Sequence, residues 1–194
     1  MLIAFEGLDQ SGKETQAQNL RERLREAGRK VRLLSFPDYG TSIGEEIARA
    51  LAGEREYGPD VMQLLFVANR HERREAMLHW LEGGLLLLCD RYRASSIAYG
   101  EAQGLDPQWL EDIQRLLPPA DLTLYLDIEP ATAAARKAHD RDRYERDLGL
   151  LSRVRDSYKR QALQPNWVEV NGRQSKEEIA EDVFSAVWSR LELR

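Results

Sequence analysis

The chain has 194 residues, of which 42% are hydrophobic and 31% charged, a composition that indicates a globular protein rather than a disordered one. Its net charge of −5 argues against a nucleic-acid-binding surface, since binders of the phosphate backbone carry excess Lys and Arg. The single cysteine excludes an intramolecular disulfide and a cysteine-rich zinc site. Neither a signal-peptide pattern nor an apolar run long enough to cross a membrane is present. We therefore expect a cytoplasmic, single-domain protein spanning residues 1–194.

Strands and helices alternate along the chain. In chain order the patterns predict a strand at Leu2–Glu6, a helix at Lys13–Ala27, a strand at Val31–Phe36, helices at Thr41–Leu51 and Pro59–Leu81, a strand at Leu85–Cys89, a helix at Asp106–Leu117, a strand at Leu122–Ile128, helices from Pro130 and up to about Leu163, a strand at Trp167–Val170 and a helix from Lys176 to about Leu191. Five strands separated by helices predict an α/β fold, in which a parallel five-stranded sheet is flanked by helices in three layers.

A phosphate-binding loop follows the first predicted strand. Its residues are Gly7, Leu8, Asp9, Gln10, Ser11, Gly12, Lys13, Glu14 and Thr15. The strand–loop–helix context is the one that a P-loop requires, because inward main-chain amides and the helix N-terminus bind phosphate. Lys13 supplies a mobile cation for the outer phosphates of a nucleotide.

One position departs from the P-loop pattern. Glu14 stands where a Ser or Thr hydroxyl usually meets Mg²⁺, and the hydroxyl comes one residue later, at Thr15. Phosphate binding depends on the backbone and on Lys13, so it tolerates this change. The metal ligand stays open, with Glu14, Thr15 and Asp90 as candidates, partly through water.

Asp90 and Arg91 follow the predicted strand Leu85–Cys89. Ligands of open parallel sheets lie at the carboxyl ends of the strands, so both side chains are expected beside the phosphate loop. Asp90 can hold Mg²⁺ or orient the acceptor, and Arg91 can clamp a second phosphate.

Four blocks of sequence resemble the thymidylate kinase family, over nearly the whole chain. They are the phosphate loop with Asp9; residues 36–40, FPDYG; residues 64–70, LLFVANR; and residues 90–99, DRYRASSIAY. The resemblance implies a P-loop kinase that moves the γ-phosphoryl group of ATP to dTMP, giving dTDP and ADP in dTTP synthesis. It also implies Mg²⁺ as cofactor and a homodimer, with helical contact surfaces around Met62–Leu81 and Ser95–Ala102.

The resemblance also implies roles for single residues. Phe66 would stack on the thymine ring and Arg70 would donate to a thymine carbonyl, which disfavours cytosine. Arg91 and Tyr39 would hold the acceptor phosphate, and Tyr99 would crowd out a 2′-hydroxyl. Asp9 would lie near the sugar and would be a further candidate metal ligand beside Glu14, Thr15 and Asp90. The acceptor set is Asp9, Phe36, Pro37, Tyr39, Phe66, Arg70, Arg91, Ser96 and Tyr99.

A densely charged run, at about residues 136–147, falls where the family has its lid. Arginines that close over a transferred phosphoryl group stabilise its charge. Gln10 stands where some family members have a loop arginine, so we predict that Arg141 and Arg143 act instead, with Arg136 behind them. The predicted catalytic residues are Lys13, Asp90, Arg91, Arg141 and Arg143. The turn Asn171-Gly172 matches the family's contact to adenine.

Two alternatives stay open on the sequence. A related kinase would use another acceptor, such as uridylate or a deoxynucleoside. A regulatory module would bind nucleotide through the same loop without transferring phosphate.

Overall fold

The computed structural model describes residues 1–136, 144 and 147–192. Their elements in chain order are β1 Leu2–Glu6, α1 Lys13–Glu26, β2 Val31–Ser35, α2 Ser42–Ala52, α3 Pro59–His71, α4 Arg74–Glu82, β3 Leu86–Asp90, α5 Arg93–Ala102, α6 Pro107–Asp112, β4 Leu122–Asp127, α7 Pro130–Arg136, α8 Leu148–Gln161, β5 Trp167–Asn171 and α9 Lys176–Glu192.

The five strands form one parallel sheet in the order β2-β3-β1-β4-β5. Phe5 and Ser35 both pair with Asp90, and Asp127 pairs with Asn171. The carboxyl ends of the strands therefore meet at one edge, where loops can present side chains to a ligand. The predicted α/β class and strand count are confirmed.

Alternate residues of each strand enter two different cores. Ile3 and Phe5 pack with α1 and α9 on one face, whereas Leu2 and Ala4 pack with Met77 of α4 on the other. A sheet buried on both faces has near-continuous apolar strands, as β1 and β3 do here. This confirms the predicted arrangement of a sheet between helical layers.

The predicted helix Pro59–Leu81 is two helices, α3 and α4, and this prediction was wrong at Glu72 and Arg73. Both side chains bond outside the helix: Glu72 accepts from Thr41 Oγ1 at 2.7 Å, and Arg73 Nε donates to Asp38 at 2.7 Å. The break fixes the start of α4 against the loop after β2.

The predicted helix Asp106–Leu117 is shorter than expected. α6 ends at Asp112, and Leu117 N donates to the Gln114 carbonyl in a tight turn. Among the described helices, none combines the length and the hydrophobicity needed to cross a bilayer.

Candidate active site

The phosphate loop turns sharply between β1 and α1. Gly7, Gln10 and Gly12 have φ of 139°, 63° and 97°. A Cβ on Gly7 would lie 2.5 Å from the Leu126 carbonyl oxygen, so only glycine allows the loop to start this close to β4. Gly12 caps α1 in the left-handed region, which directs the free amides of the first helical turn toward the loop.

Lys13 folds back over this loop. Its Nζ donates to the Leu8 carbonyl at 2.7 Å and to Ser11 Oγ at 3.5 Å, and the side chain is buried. The ammonium group is thus held above the concave side of the loop, where the outer phosphates of a nucleotide would lie.

Burial lowers the pKa of Lys13 to about 8, and Arg91 adds to this effect against the attraction of Asp9, Asp90 and Glu6. Desolvation disfavours an ammonium ion unless an anion accompanies it. A bound phosphate would supply that anion, so the electrostatics of the loop favour the binding of phosphate.

Asp9 and Arg91 form an ion pair at the sheet edge. Arg91 Nη2 donates to Asp9 Oδ1 at 2.7 Å, and Tyr99 OH donates to Asp9 Oδ2 at 3.1 Å. Burial raises the pKa of Asp9, but Arg91 and Lys13 outweigh it and hold the pKa well below its usual range. Arg91 Nη1 also donates to the Gly7 carbonyl at 3.2 Å, so this guanidinium connects the end of β3 to the phosphate loop.

Glu6 positions the start of α5 from inside the core. Its carboxylate accepts from Tyr92 N at 2.9 Å, from Ser95 Oγ at 2.6 Å and from Tyr158 OH at 3.1 Å. A carboxylate at a helix N-terminus is favoured by the free amides and the helix dipole. Glu6 therefore fixes the helix that carries Ser96 and Tyr99.

A narrow cavity of about 90 Å³ lies between the loop after β2, α3 and α5. Every residue of the predicted acceptor set lines it, together with Leu51, Gln63, Ser95 and Tyr144. Phe66 of α3 is half-buried, which leaves part of its ring open to a planar ligand. The structure thus brings together, around one cavity, all the residues that the family resemblance predicts to bind the acceptor.

Arg70 lies in this cavity with neutral partners. Its Nη1 donates to Ser96 Oγ at 2.7 Å and to Gln114 Oε1 at 3.3 Å. Burial lowers the pKa of the guanidinium to about 10, against the attraction of Glu6, so it stays charged at neutral pH. Within the described residues, Nε of Arg70 has no partner, which leaves it available to a ligand carbonyl.

A wider cleft of about 710 Å³ opens over the phosphate loop. Its lining includes the predicted loop residues from Asp9 to Thr15, with Asp90, Arg91 and Arg136. Gly7 and Leu8 lie behind the loop instead: their carbonyls accept from Arg91 and Lys13. The cleft and the narrow cavity share five lining residues: Asp9, Phe36, Pro37, Tyr39 and Arg91.

Comparison with known proteins decides the family. A family model described as "Thymidylate kinase" matches residues 5–183. The chain belongs to the thymidylate kinase family. Among thymidylate kinases, that of Arabidopsis thaliana is 37% identical over 98% of this chain and 72% of its own length, and that of Dictyostelium discoideum is 32% identical over 100% and 88%.

A solved structure supports the same conclusion. The thymidylate kinase of Candida albicans superposes with a TM-score of 0.79 at 30% identity, over 99% of this chain and 91% of its own. The predicted resemblance and the predicted fold are therefore confirmed, and the chain belongs with nucleoside monophosphate kinases, which are phosphotransferases.

Of the metal candidates in this member of the thymidylate kinase family, Asp90 fits a cation best. Its Oδ1 is buried without a hydrogen-bond partner in the described part of the chain. Glu14 is exposed and accepts from Gln18 Nε2 at 3.2 Å, and Asp9 is paired with Arg91. The described residues contain no cluster of three or more His, Cys, Asp or Glu side chains. This set suits Mg²⁺ that arrives with a nucleotide, since such ions use one or two carboxylates plus phosphate oxygens.

Arg136 lies where α7 ends, beside the phosphate loop. Its Nη1 donates to the Gln10 carbonyl and its Nη2 to the Gly172 carbonyl, each at 2.9 Å. It therefore joins the loop to the turn after β5. The other predicted lid arginines, Arg141 and Arg143, lie outside the described residues.

The sequence analysis assigned no role to several side chains of the site, among them Glu6, Gln63 and Gln114. Glu6 ends the first strand, Gln63 precedes the LLFVANR block, and Gln114 follows α6. A charged residue closing an apolar strand was a signal for Glu6. The two glutamines belong to none of the blocks that carry the resemblance. Only their surroundings in the folded protein distinguish them from the other glutamines of the chain.

Proposed function

We infer that this chain transfers the γ-phosphoryl group of ATP to dTMP, giving dTDP and ADP in dTTP synthesis. The observation that carries this conclusion is that two cavities of different character meet at Asp9 and Arg91. One surrounds a phosphate loop, and the other is a narrow slot with an aromatic ring and a guanidinium. Two nucleotides bound there would face each other through their phosphates, the arrangement that direct in-line transfer needs.

ATP would lie in the wide cleft. Main-chain amides of residues 9–13 and the first turn of α1 would bind its phosphates, and Lys13 would move from the Leu8 carbonyl to the outer phosphates. Lys13 would then neutralise charge that develops during transfer. The turn Asn171-Gly172, tied to the loop through Arg136, would border the adenine.

dTMP would lie in the narrow cavity. Phe66 would stack on the thymine, and Arg70 would donate to its 4-carbonyl, with Ser96 holding the guanidinium in place. Tyr99, fixed by its bond to Asp9, would border carbon 2′ of the sugar, where a ribose hydroxyl would be crowded. Burial of these polar groups makes a mismatched base costly, because it would leave a guanidinium unpaired.

The acceptor phosphate would lie at the junction of the two cavities. Arg91 would hold it with its planar fork, and Tyr39 would close the junction from the loop after β2, beside Phe36 and Pro37. The acceptor is already anionic, so general-base chemistry is not needed. Positioning and charge neutralisation would therefore supply most of the catalysis.

Mg²⁺ would be held by Asp90, with Asp9, Glu14 and Thr15 further out and partly through water. When bound, the ion would supply positive charge that neutralises the charge developing on the phosphates. In its absence the chain's own cations at this point are Lys13 and Arg91, both directed at the same junction.

The 194 residues would form one catalytic domain with a lid at about residues 136–147, in which Arg141 and Arg143 would cover the transferring group. The protein would act in the cytoplasm as a homodimer. Of the two helical surfaces expected to form its contact, α5 is nearly all buried within the chain. Val61 and Leu64 of α3 stay 38% and 46% exposed, so α3 is the better contact face.

An acceptor screen tests the proposed function. ADP formation from ATP is followed with dTMP, dUMP, UMP, CMP and thymidine, and without acceptor. We expect turnover that depends on acceptor and is fastest with dTMP. Nucleotide binding without turnover would instead support the regulatory module, and a faster rate with UMP or thymidine would support the related kinase.

A further inference from the structure

Gln63 carries a buried primary amide whose hydrogen bonds the described residues do not supply. The side chain is fully buried and lines the narrow cavity. Both amide atoms, Oε1 and Nε2, lack a hydrogen-bond partner among the described residues. Buried polar side chains in native proteins are nearly always hydrogen-bonded, and leaving one unmade is costly. The cavity that Gln63 lines is the place from which a partner would come.

Gln63 and Arg70 lie on one face of α3, on either side of Phe66. Gln63 precedes Phe66 by three residues and Arg70 follows it by four, spacings that put side chains on the same face of a helix. With a rise of about 1.5 Å per residue, the two polar residues are about 10 Å apart along the helix. A pyrimidine stacked on Phe66 would thus lie between two long polar side chains, which could both turn toward the same edge of the ring.

These two residues offer different hydrogen-bonding groups. Arg70 can only donate, and its Nε has no partner in the part of the chain that the structure describes. An amide offers an acceptor and a donor side by side. Together they complement a ring edge that reads carbonyl, N–H, carbonyl, which is the imide edge of thymine and uracil.

We propose that Gln63 is a second base-reading residue, which pairs with the N3–H and the 2-carbonyl of the acceptor base while Arg70 pairs with the 4-carbonyl. Oε1 accepts from N3–H and Nε2 donates to the 2-carbonyl oxygen. The inference rests on the proposed function, because it takes the narrow cavity as the dTMP site. Selection against cytosine, which has no proton on N3, is then shared by two side chains instead of resting on Arg70 alone.

The test combines a variant with a modified substrate. Gln63→Met keeps the length of the side chain and removes the amide, and N3-methyl-dTMP removes the N3 proton. We expect Gln63→Met to lower kcat/KM for dTMP roughly tenfold, mostly through KM, since the amide contacts a part of the base that does not react. With N3-methyl-dTMP the same substitution should cost less than about twofold, because the methyl group removes the N3–H contact and also holds the amide away from the neighbouring 2-carbonyl.

The control is Gln108→Met on the exposed side of α6, which should leave both substrates unaffected. If Gln63→Met lowers kcat/KM by the same factor for dTMP and for N3-methyl-dTMP, the amide does not contact N3 and the assignment is wrong. That result would mean that ordered water satisfies the hydrogen bonds of the Gln63 amide.

The unmodified protein provides a second measurement that does not depend on the folding of a variant. With 2-thio-dTMP the acceptor at position 2 becomes sulfur, a weak acceptor, and KM should rise roughly fivefold. An unchanged KM would overturn the 2-carbonyl contact. If the unmodified protein does not phosphorylate dTMP, the proposed function and this inference both fail. If the unmodified protein does phosphorylate dTMP, but Gln63→Met lowers kcat/KM equally for dTMP and N3-methyl-dTMP, only the assignment of Gln63 fails.

Discussion

The wide cleft and the narrow cavity present different kinds of groups to a ligand. The phosphate loop offers main-chain amides and one lysine, whereas the narrow cavity offers a ring, a guanidinium and an amide from side chains of α3, together with hydroxyl groups from α5. Main-chain amides bind any phosphate in the right place, so they determine position and not identity. Side-chain groups of fixed polarity distinguish one base from another. If the proposed function holds, the site separates positioning of the donor from selection of the acceptor.

The largest effect is expected from changing side chains in the phosphate loop, which tests whether the loop binds the donor through its main chain and Lys13. Lys13→Met should lower kcat/KM for ATP roughly 10³-fold, because it removes the cation that faces the outer phosphates. Gln10→Gly should stay within about twofold, since Gln10 contributes a carbonyl and a left-handed φ that glycine adopts readily. Initial rates at varied ATP measure both. A Gln10→Gly loss as deep as that of Lys13→Met would contradict a main-chain donor site.

The lid is expected to act on both substrates. Replacing Arg141 and Arg143 together by Ala should lower kcat roughly 10²- to 10³-fold, since they would cover charge that develops in transfer. The KM for dTMP should change little. The single variants show which arginine dominates. If the double variant keeps the kcat of the unmodified protein, the charge is supplied elsewhere, with Arg136 the first candidate.

Selection in the narrow cavity should depend on Arg70. Arg70→Gln should lower kcat/KM for dTMP roughly 10- to 100-fold, the range expected for a hydrogen bond from a charged donor. The preference for dTMP over dCMP should fall at the same time, because the donor that rejects the cytosine amino group is gone. Arg49→Gln, on the exposed side of α2, is the matched control. A loss that is equal for dTMP and dCMP would show that Arg70 supports the fold and does not read the base.

Much of this arrangement is predictable from sequence because it depends on local patterns. Apolar runs followed by glycine or proline predicted the strands, and the loop pattern predicted the anion site. The break at Glu72 and Arg73 was missed because it depends on Thr41 and Asp38, which are distant in sequence. Strand order likewise depends on crossovers whose direction no local pattern specifies.

Gln63 and Gln114 show a different limit of sequence analysis. Glutamine is an ordinary helix residue, and neither position belongs to a recognisable motif. Their importance comes from what surrounds them: the amide of Gln63 has no hydrogen-bond partner among the described residues, and Gln114 accepts from Arg70. Only the folded arrangement shows which buried amides are satisfied.

Gln114 gives a smaller test of the narrow cavity. Its Nε2 donates to the Leu110 carbonyl at 2.9 Å, so its Oε1 is held in place for Arg70. Gln114→Leu should raise KM for dTMP roughly fivefold and leave KM for ATP unchanged, a limited effect because Ser96 still accepts from Arg70. Gln114→Glu keeps the acceptor and should restore KM for dTMP. An equal rise in both KM values would contradict an effect confined to the narrow cavity, whereas a fall in kcat with unchanged KM values would mean a loss of folded protein.

The last prediction concerns protons at the wide cleft. In the free protein the pKa of Lys13 is about 8, so roughly half of this side chain is neutral at pH 8. Phosphates favour the ammonium form and raise that pKa, so binding of ATP at pH 8 should take up roughly half a proton. At pH 6.5 Lys13 is already protonated and contributes no uptake. Calorimetry in buffers of different ionisation enthalpy measures the number of protons taken up at each pH. The Gln10→Gly variant should show the same uptake at pH 8 as the unmodified protein. Because main-chain amides do not titrate, an uptake confined to the higher pH identifies Lys13 as the titrating donor group, and its absence there would mean that the ammonium is already paired before ATP arrives.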